Sequence, residues 1–302
     1  MPLDLVINRQ KNVAKFALDK YFPSLSRWLF DYTIEQYSRK SFKLDPSWRL
    51  SPAPSLANHQ PVISDNLVSS LRAGYIASVH GLSRFVNSET VELLDGTILA
   101  VDAVIFCTGY EPDFSLISDY DPVQSTTQTK AEPKNSYQGP PLARLYQNIF
   151  PPKYAGSIAY MNYVALTDGA TTVIDLAAMA IAQIWKGAYR LPAEQEMDLA
   201  IDKHHEWVKS LARGDSVYCG IVRPGPWYQF LNTAAGTGVD ENLGYGLKGW
   251  KFWMRERKLS NLMMRGVMTP YQYRVFDGRR KKWDGARDAI VAANEEARKY
   301  RC

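Results

Sequence analysis

The residues Gly244, Gly246 and Gly249 form the pattern G-x-G-x-x-G, which in other proteins cradles a dinucleotide. The pattern holds a pyrophosphate only where a hydrophobic strand delivers the chain into the glycine turn. Here the preceding segment, residues 236–242, is polar and rich in turn-forming residues. We therefore interpret the glycines as a glycine-rich surface loop, with dinucleotide binding as the less favoured alternative.

Histidine and cysteine side chains show no spacing that would build a catalytic or metal-binding group. His204 and His205 are adjacent in a predicted helix and so point to different sides, whereas ligands on one face are three or four residues apart. Cys107 lies in an apolar run, which favours a small core residue over a reactive thiol. No Ser/His/Asp or Cys/His arrangement can be assembled. We predict no metal site, and the catalytic residues remain unassigned.

Two basic segments have a binding alternative. Trp250 to Arg265 mixes aromatic and aliphatic residues with lysine and arginine, as helices in a membrane interface do. Its apolar residues do not form one stripe, so packing within the domain is favoured and peripheral membrane contact is the alternative. The run of four basic residues at Arg279–Lys282 indicates a solvated turn, and contact with a phosphate is the alternative.

One predicted strand indicates where a ligand would lie. Ala103–Cys107 is apolar without alternation, which is typical of a strand buried on both faces in a parallel sheet. The run stops at Thr108-Gly109. Ligands in open α/β sheets lie against the carboxyl ends of strands, where small residues let a cofactor approach the backbone. We therefore expect the chemistry to lie close to Thr108 and Gly109.

The other elements are predicted from hydrophobic periodicity and turn residues. Asp95-Gly96 predicts a tight hairpin turn, and Gly74 and Gly187 predict helix ends. Helices are expected over residues 11–39 (two helices), 65–72, 171–185, 194–212 and 284–300, and strands over residues 75–79, 82–86, 90–94, 97–100 and 157–166. Together they predict an α/β fold with a β-meander and a helical C-terminal region.

Composition excludes several classes of protein. The 302 residues are 46% hydrophobic and 22% charged, which suits a globular domain with a core and not a disordered chain. The net charge of +5 is too weak to indicate a nucleic-acid partner. Three cysteines without C-x-x-C spacing favour a reducing compartment. Since we find no signal peptide and no apolar run of about 20 residues, we expect a cytoplasmic location.

The segment Phe106-Cys107-Thr108-Gly109-Tyr110 resembles the signature of flavin-containing monooxygenases and their Baeyer–Villiger relatives. In that family an aliphatic strand ends in Phe or Leu, Ala, Thr, Gly, Tyr, and Cys107 replaces the alanine here. Further segments resemble the family in the same order along the chain: Pro61–Leu67, Gly74–Ile76, Asp95–Thr97, Tyr146–Pro152, Trp185–Gly187, Leu191-Pro192, Tyr271–Arg274 and Lys282–Arg287. The resemblance is nearly end to end and corresponds to the C-terminal half of the family.

The resemblance implies an incomplete, Rossmann-like flavoprotein fold with parts of two dinucleotide-binding domains. Residues 1–60 would be the remnant of the NADPH-domain region, mostly helix and loop. Residues 61–187 would be the C-terminal part of the FAD-binding domain, with the β-meander and the Phe-Cys-Thr-Gly-Tyr strand. Residues 188–302 would form a helical, aromatic-rich C-terminal region. Neither of the family's Gly-rich nucleotide turns is present in this sequence.

The same resemblance implies FAD and NADPH as cofactors. The implied cofactor-binding residues are Thr108, Gly109, Tyr110, Asp168, Gly169 and Ala170, of which the last three precede a helix whose positive N-terminal end would face the flavin. The implied activity uses NADPH and O2 to transfer one oxygen atom to a nitrogen, sulfur or carbonyl centre of a small molecule. Proteins of this family are common in secondary metabolism.

The absent Gly-rich turns leave open whether this chain is an enzyme by itself. It is alternatively a catalytically inactive, truncated homologue that binds a ligand or a partner protein. A third possibility is one half of a split enzyme, completed by a partner chain that supplies the nucleotide-binding half. Exposed apolar surface on the sheet between Tyr75 and Cys107 would favour such a partner.

Overall fold

The computed structural model describes residues 8–55, 58–59, 62, 64–109, 112–117, 120–123, 141–166, 169–211 and 217–300. The chain forms two compact units. We call Met1–Ser26 together with Pro112–Cys302 the helical unit, and Arg27–Glu111 the sheet unit. Tyr110 and Asp168, two of the predicted cofactor-binding residues, lie outside the described residues.

Helices form in every segment where hydrophobic periodicity predicts them, and also between residues 224 and 242, where the sequence predicts none. They are α1 (Arg9–Tyr21), α2 (Pro23–Phe42), α3 (Leu67–Arg72), α4 (Ala170–Trp185), α5 (Glu194–Leu211), α6 (Pro224–Ala235), α7 (Val239–Asn242), α8 (Leu247–Arg255), α9 (Arg257–Arg265) and α10 (Ala286–Arg298). Turns of 3-10 helix cover Pro46–Trp48, Pro152–Tyr154 and Pro270–Arg274. All the helices predicted from the sequence are confirmed, and the C-terminal region is helical as expected.

The sheet unit contains a three-stranded antiparallel meander. Its strands are β1 (Leu82–Phe85), β2 (Thr90–Leu93) and β3 (Ile98–Ala100), in the order β1-β2-β3. The turn between β2 and β3 is the predicted Asp95-Gly96: the Asp95 carboxylate accepts the backbone N–H of Thr97 at 3.0 Å, and Gly96 has a φ of +84°. A left-handed φ favours glycine because it has no Cβ. The β-meander is therefore confirmed.

The main core of the helical unit lies between α4 and α6. Leu176, Ala180 and Ile184 are buried along one face of α4 at helical spacing, and Trp227 and Leu231 of α6 pack in the same cluster. Burial of one such aliphatic or aromatic side chain stabilises a fold by about 1.5–3 kcal/mol. This packing fixes the direction of α4 and so the position of its N-terminal end.

Three of the predicted strands are wrong. Residues 75–79 and 103–107 form no regular strand, and residues 157–166 contribute a single bridge from Ala165 to Ile221. A strand needs neighbours that bond its backbone and cover its side chains. Within the described part of the chain, the sheet consists of β1 to β3 alone, so the apolar run 103–107 has no neighbouring strand.

The side chains of residues 103–107 are consequently exposed. Ile105 is 83% exposed and Phe106 is 66% exposed. Cys107 is also exposed, so the prediction of a small core residue there is wrong. The apolar surface expected between Tyr75 and Cys107 is present, since Phe85 and Ile98 of the meander are exposed as well.

The predicted α/β class is confirmed at the level of helices combined with a small sheet. The antiparallel sheet is compatible with a flavoprotein fold. The Rossmann-like arrangement and the boundaries at residues 60 and 187 stay predictions.

Candidate functional site

The N-terminal end of α4 is the first part of the candidate site. Gly169 occupies the N-cap and, having no side chain, provides no side-chain cap. The first turn carries no acidic residue, and Gly169, Ala170 and Thr171 are exposed. The positive end of the helix dipole, about half a unit charge, is therefore offset by no charge from the first turn. Such an end favours an electron-rich group.

An ion pair fixes the second turn of α4. Asp175 accepts two hydrogen bonds from the guanidinium of Arg274, one of them from Nη2 to Oδ1 at 2.7 Å. These hydrogen bonds raise the pKa of Arg274, whereas burial and the nearby Arg274 lower the pKa of Arg280. One carboxylate thus lies among two guanidinium groups, and this surface of α4 is electropositive. Sequence reasoning missed the pair because its members are 99 residues apart.

The segment Thr108-Gly109 is the second part of the candidate site and lies in the sheet unit. Both residues are exposed. Gly109 has a φ of +91°, a left-handed conformation that side chains disfavour, and no described atom lies within 4 Å of where a Cβ would be. Its backbone is exposed. Because residues 103–107 form no strand, the binding of a ligand at Thr108 and Gly109 stays a prediction.

The predicted site residues do not all fall within one unit. Thr108 and Gly109 belong to the sheet unit, whereas Gly169 and Ala170 belong to the helical unit. The structure therefore gives the local conformation of each pair. Their joint role as a cofactor site stays a prediction.

Comparison with known proteins decides the family. Residues 1–301 match the family described as flavin-binding monooxygenase-like. The chain belongs to this family. The match covers both units, which agrees with the resemblance seen along the whole sequence.

Individual flavin monooxygenases are similar over most of this chain. Monooxygenase aurF of Gibberella zeae is 41% identical over 98% of the chain and 56% of its own length. Flavin-containing monooxygenase 5 of Homo sapiens is 26% identical over 88% of the chain and 44% of its own length. Flavin-containing monooxygenase 3 of Macaca mulatta is 24% identical over 89% and 45%. The chain thus spans about half the length of the curated relatives it matches.

Family membership implies the use of FAD and NADPH, and the described residues fit a flavin. The exposed, uncapped start of α4 is suited to the electron-rich edge of a flavin ring. The open backbone at Gly109 leaves room for a cofactor. Both features lie in segments that resemble the family's motifs.

The glycine pattern at Gly244, Gly246 and Gly249 has a structural explanation in this chain. It follows α7 and runs into α8, so it does not follow a strand. Gly249 is buried in α8, and a Cβ there would clash with the carbonyl oxygen of Gly244. The interpretation as a surface loop is therefore wrong for Gly249, where glycine permits a close backbone contact.

The adjacent histidines of α5 have different surroundings. The Nε2 atom of His205 lies 3.1 Å from the carbonyl oxygen of Ala143. Burial, together with neighbouring His205 and Arg223, lowers the pKa of His204 to about 4. Within the described ranges, no group of three or more His, Cys, Asp or Glu side chains lies close enough together to hold a metal ion.

The segment Trp250 to Arg265 forms two short helices, α8 and α9, separated at Glu256. Trp250 is exposed on α8, whereas Leu259 and Met263 of α9 are buried. Part of the segment thus packs within the helical unit, as favoured from the sequence, and contact with a membrane stays the untested alternative. Over the residues that the structure covers, no helix is long and apolar enough to cross a membrane.

Proposed function

We propose that this chain acts in flavin-dependent monooxygenation, with NADPH and O2 as co-substrates and a nitrogen, sulfur or carbonyl centre of a small molecule as the oxygen acceptor. The observation that carries the proposal is the family match over residues 1–301, supported by 41% identity to a monooxygenase. FAD, when bound, supplies the redox and oxygen chemistry.

The chain's own residues bind and orient the flavin. The start of α4, with Gly169 and Ala170, would hold the flavin through the positive end of the helix, which favours an electron-rich part of the ring. Thr108 and Gly109 present open backbone to the cofactor, and Tyr110 and Asp168 belong to the same motifs. No acid or base among these residues is assigned to the reaction, because the protein's part is orientation and exclusion of water.

A matched pair of variants at the N-cap of α4 tests this role. Gly169 has a φ of −59° and ψ of 123°, and a Cβ there would lie 3.9 Å from its nearest neighbour, Thr172 Oγ1, so a side chain fits. Asn and Asp are equally good N-caps, so Gly169→Asn and Gly169→Asp differ mainly in charge. We expect Gly169→Asp to bind FAD about tenfold more weakly than Gly169→Asn, because the added carboxylate would repel an electron-rich group of the flavin at the start of α4. A factor of ten corresponds to about 1.4 kcal/mol of repulsion.

Flavin absorbance during titration of the purified chain measures both affinities, and NADPH oxidation with an amine, a thioether and a ketone tests the activity. Equal FAD affinities of the two variants would remove the proposed role of α4. Absence of FAD binding by the unsubstituted chain would remove the proposal that it is active alone.

The exposed apolar surface of the sheet unit favours a second candidate function. Ile105, Phe106, Phe85 and Ile98 are exposed without a cover from the described residues of their own unit. We propose that a polypeptide carrying a nucleotide-binding domain covers them, either in a split enzyme or in a non-catalytic complex. In the case of a split enzyme, FAD binding should require addition of the nucleotide-binding half of a full-length family member. Tight FAD binding by this chain alone would contradict it.

A further inference from the structure

A cavity in the helical unit is lined by three segments outside the candidate flavin site. Its volume is about 180 Å3. Its described lining comes from the turn 145–148, from α5 at Ala200, Ile201, Lys203 and His204, and from residues 222–227 at the start of α6. An apolar cavity of about 150 Å3 is enough to hold a benzene ring. The space therefore suits one aromatic ring with a small substituent.

The cavity is lined by two cationic side chains, both of them exposed, and by no described carboxylate. Lys203 and Arg223 both line the cavity, and no Asp or Glu is among its described lining residues. The Arg223 guanidinium lies 4.9 Å from the centre of the Trp207 ring, a cation–π contact that leaves its positive charge in place. Two cations beside a cavity without a counter-ion favour an anion.

Most of the remaining lining residues are apolar and buried. Leu145, Ile201 and Val222 line the cavity together with the rings of Tyr146 and Trp227. Aromatic walls offer offset-stacked or edge-to-face contacts to a ring. The cavity thus combines a cationic part with an apolar, ring-sized part.

The turn that forms one wall is held in an uncommon conformation. Gln147 and Asn148 both have a φ of 57°, in the left-handed region. Trp227 Nε1 donates to the Gln147 carbonyl at 2.9 Å, and Asn148 Nδ2 donates to the Gly220 carbonyl at 3.0 Å. Strained backbone persists where surrounding bonds enforce it, and it concentrates at binding sites. The wall is therefore preorganised.

We propose that this cavity binds a small aromatic carboxylate, with its ring between the apolar walls and its carboxylate toward Lys203 and Arg223. Nothing in the proposal depends on flavin or NADPH, so its failure would be distinct from failure of the proposed function.

The test uses benzoate, benzyl alcohol and inorganic phosphate as probes, measured by calorimetry on the purified chain without flavin. We expect saturable benzoate binding, with benzyl alcohol and phosphate each at least about tenfold weaker. Benzyl alcohol lacks the charge-assisted contact, which contributes about 1.5 kcal/mol or more, and phosphate lacks the ring that the apolar walls would cover. Equal binding of benzyl alcohol would overturn the role of the charge. Equal binding of phosphate would overturn the role of the ring, and no saturable benzoate binding would overturn the site.

Two sets of variants locate the binding. Lys203→Gln with Arg223→Gln should weaken benzoate about tenfold, whereas Lys248→Gln with Lys251→Gln, which removes two exposed charges of α8, should not. Ala200→Leu should fill the cavity and abolish binding, whereas Ala178→Leu on the exposed face of α4 should leave it unchanged. Thermal unfolding checks that each variant is folded. Retention of benzoate binding by both the Lys203→Gln/Arg223→Gln variant and the Ala200→Leu variant would overturn the proposal.

Discussion

The two units differ in how far their apolar side chains are buried. In the helical unit, Trp227 and Leu231 are almost completely buried between α4 and α6. In the sheet unit, Ile105 and Phe106 are mostly exposed, although they lie in an equally apolar run. An apolar segment becomes core only when other elements cover it, and a large exposed patch is typical of an interaction site. The helical unit thus closes around its own core, whereas the sheet unit has an apolar surface available to a partner.

The largest expected effect comes from removing an aromatic ring in each unit. Trp227→Ala should lower the free energy of unfolding by about 3–5 kcal/mol, since it opens a cavity in a packed core. It also removes the indole hydrogen bond to the Gln147 carbonyl. Phe106→Ala should change stability by about 0.5 kcal/mol or less, because its ring is exposed. Urea unfolding followed by circular dichroism measures both. Similar losses for the two variants would show that the units do not differ in packing.

A pH effect is expected from a partly buried histidine of the helical unit. His204 has a pKa of about 4 in the fold, against 6.5 for a free imidazole. Below pH 6.5 the unfolded chain binds the proton first, so stability should fall as the pH falls from about 6.5 to about 4. The full loss is about 3 kcal/mol at 1.36 kcal/mol per pKa unit. His205 contributes in the same direction, since burial lowers its pKa as well.

The His204 effect is measured as the difference between the chain and His204→Gln in urea unfolding at several pH values. His204→Gln should flatten the pH dependence between about 4 and 6.5. The matched change His80→Gln, at an exposed position of the sheet unit, provides the control. A pH dependence that His204→Gln leaves intact would show that this ring is not the group responsible.

The same contrast explains which elements the sequence predicts. Helices α4 and α5 and the Asp95-Gly96 turn are specified by local periodicity and by turn residues, and the structure contains them. The apolar pattern of residues 103–107 predicts a buried strand, but whether the run pairs depends on strands elsewhere, and local pattern does not show them. Prediction therefore succeeds where neighbours in sequence determine the structure.

The candidate sites follow the same division. The start of α4 at Gly169 is visible as a helix boundary after a glycine. The Asp175–Arg274 pair is not, because it joins residues far apart in sequence. The cavity also escapes prediction, since its wall depends on the left-handed conformations of Gln147 and Asn148, two residue types that adopt many others. No local signal in the sequence indicates that α5, α6 and this turn enclose a space.

Removing the carboxylate of one ion pair in each unit should change the free energy of unfolding by less than the Trp227 and His204 variants do. Asp175 and Arg274 are each about 30% exposed, at 28% and 30%, whereas Arg84 of the Arg84–Glu92 pair is 67% exposed. Asp175→Asn should lower the free energy of unfolding by about 1–2 kcal/mol, because it leaves a half-buried guanidinium without its carboxylate. Glu92→Gln should lower it by about 0.5 kcal/mol or less. Urea unfolding of both variants measures the difference, and equal effects would mean that the helical unit does not depend on this pair.

The smallest expected change in stability is the one that tests the exposed surface most directly. Ile105→Ser should alter the free energy of unfolding by about 0.5 kcal/mol or less, since water already surrounds the side chain. It should nonetheless reduce self-association measured by light scattering, because it interrupts an apolar patch in which the Phe85 and Phe106 rings lie 6.4 Å apart. Leu116→Ser in the helical unit, at a position 97% exposed, is the matched control and should change the scattering less. If instead Ile105→Ser destabilised the chain as strongly as Trp227→Ala, the sheet unit would have a closed core of its own and would need no partner to cover it.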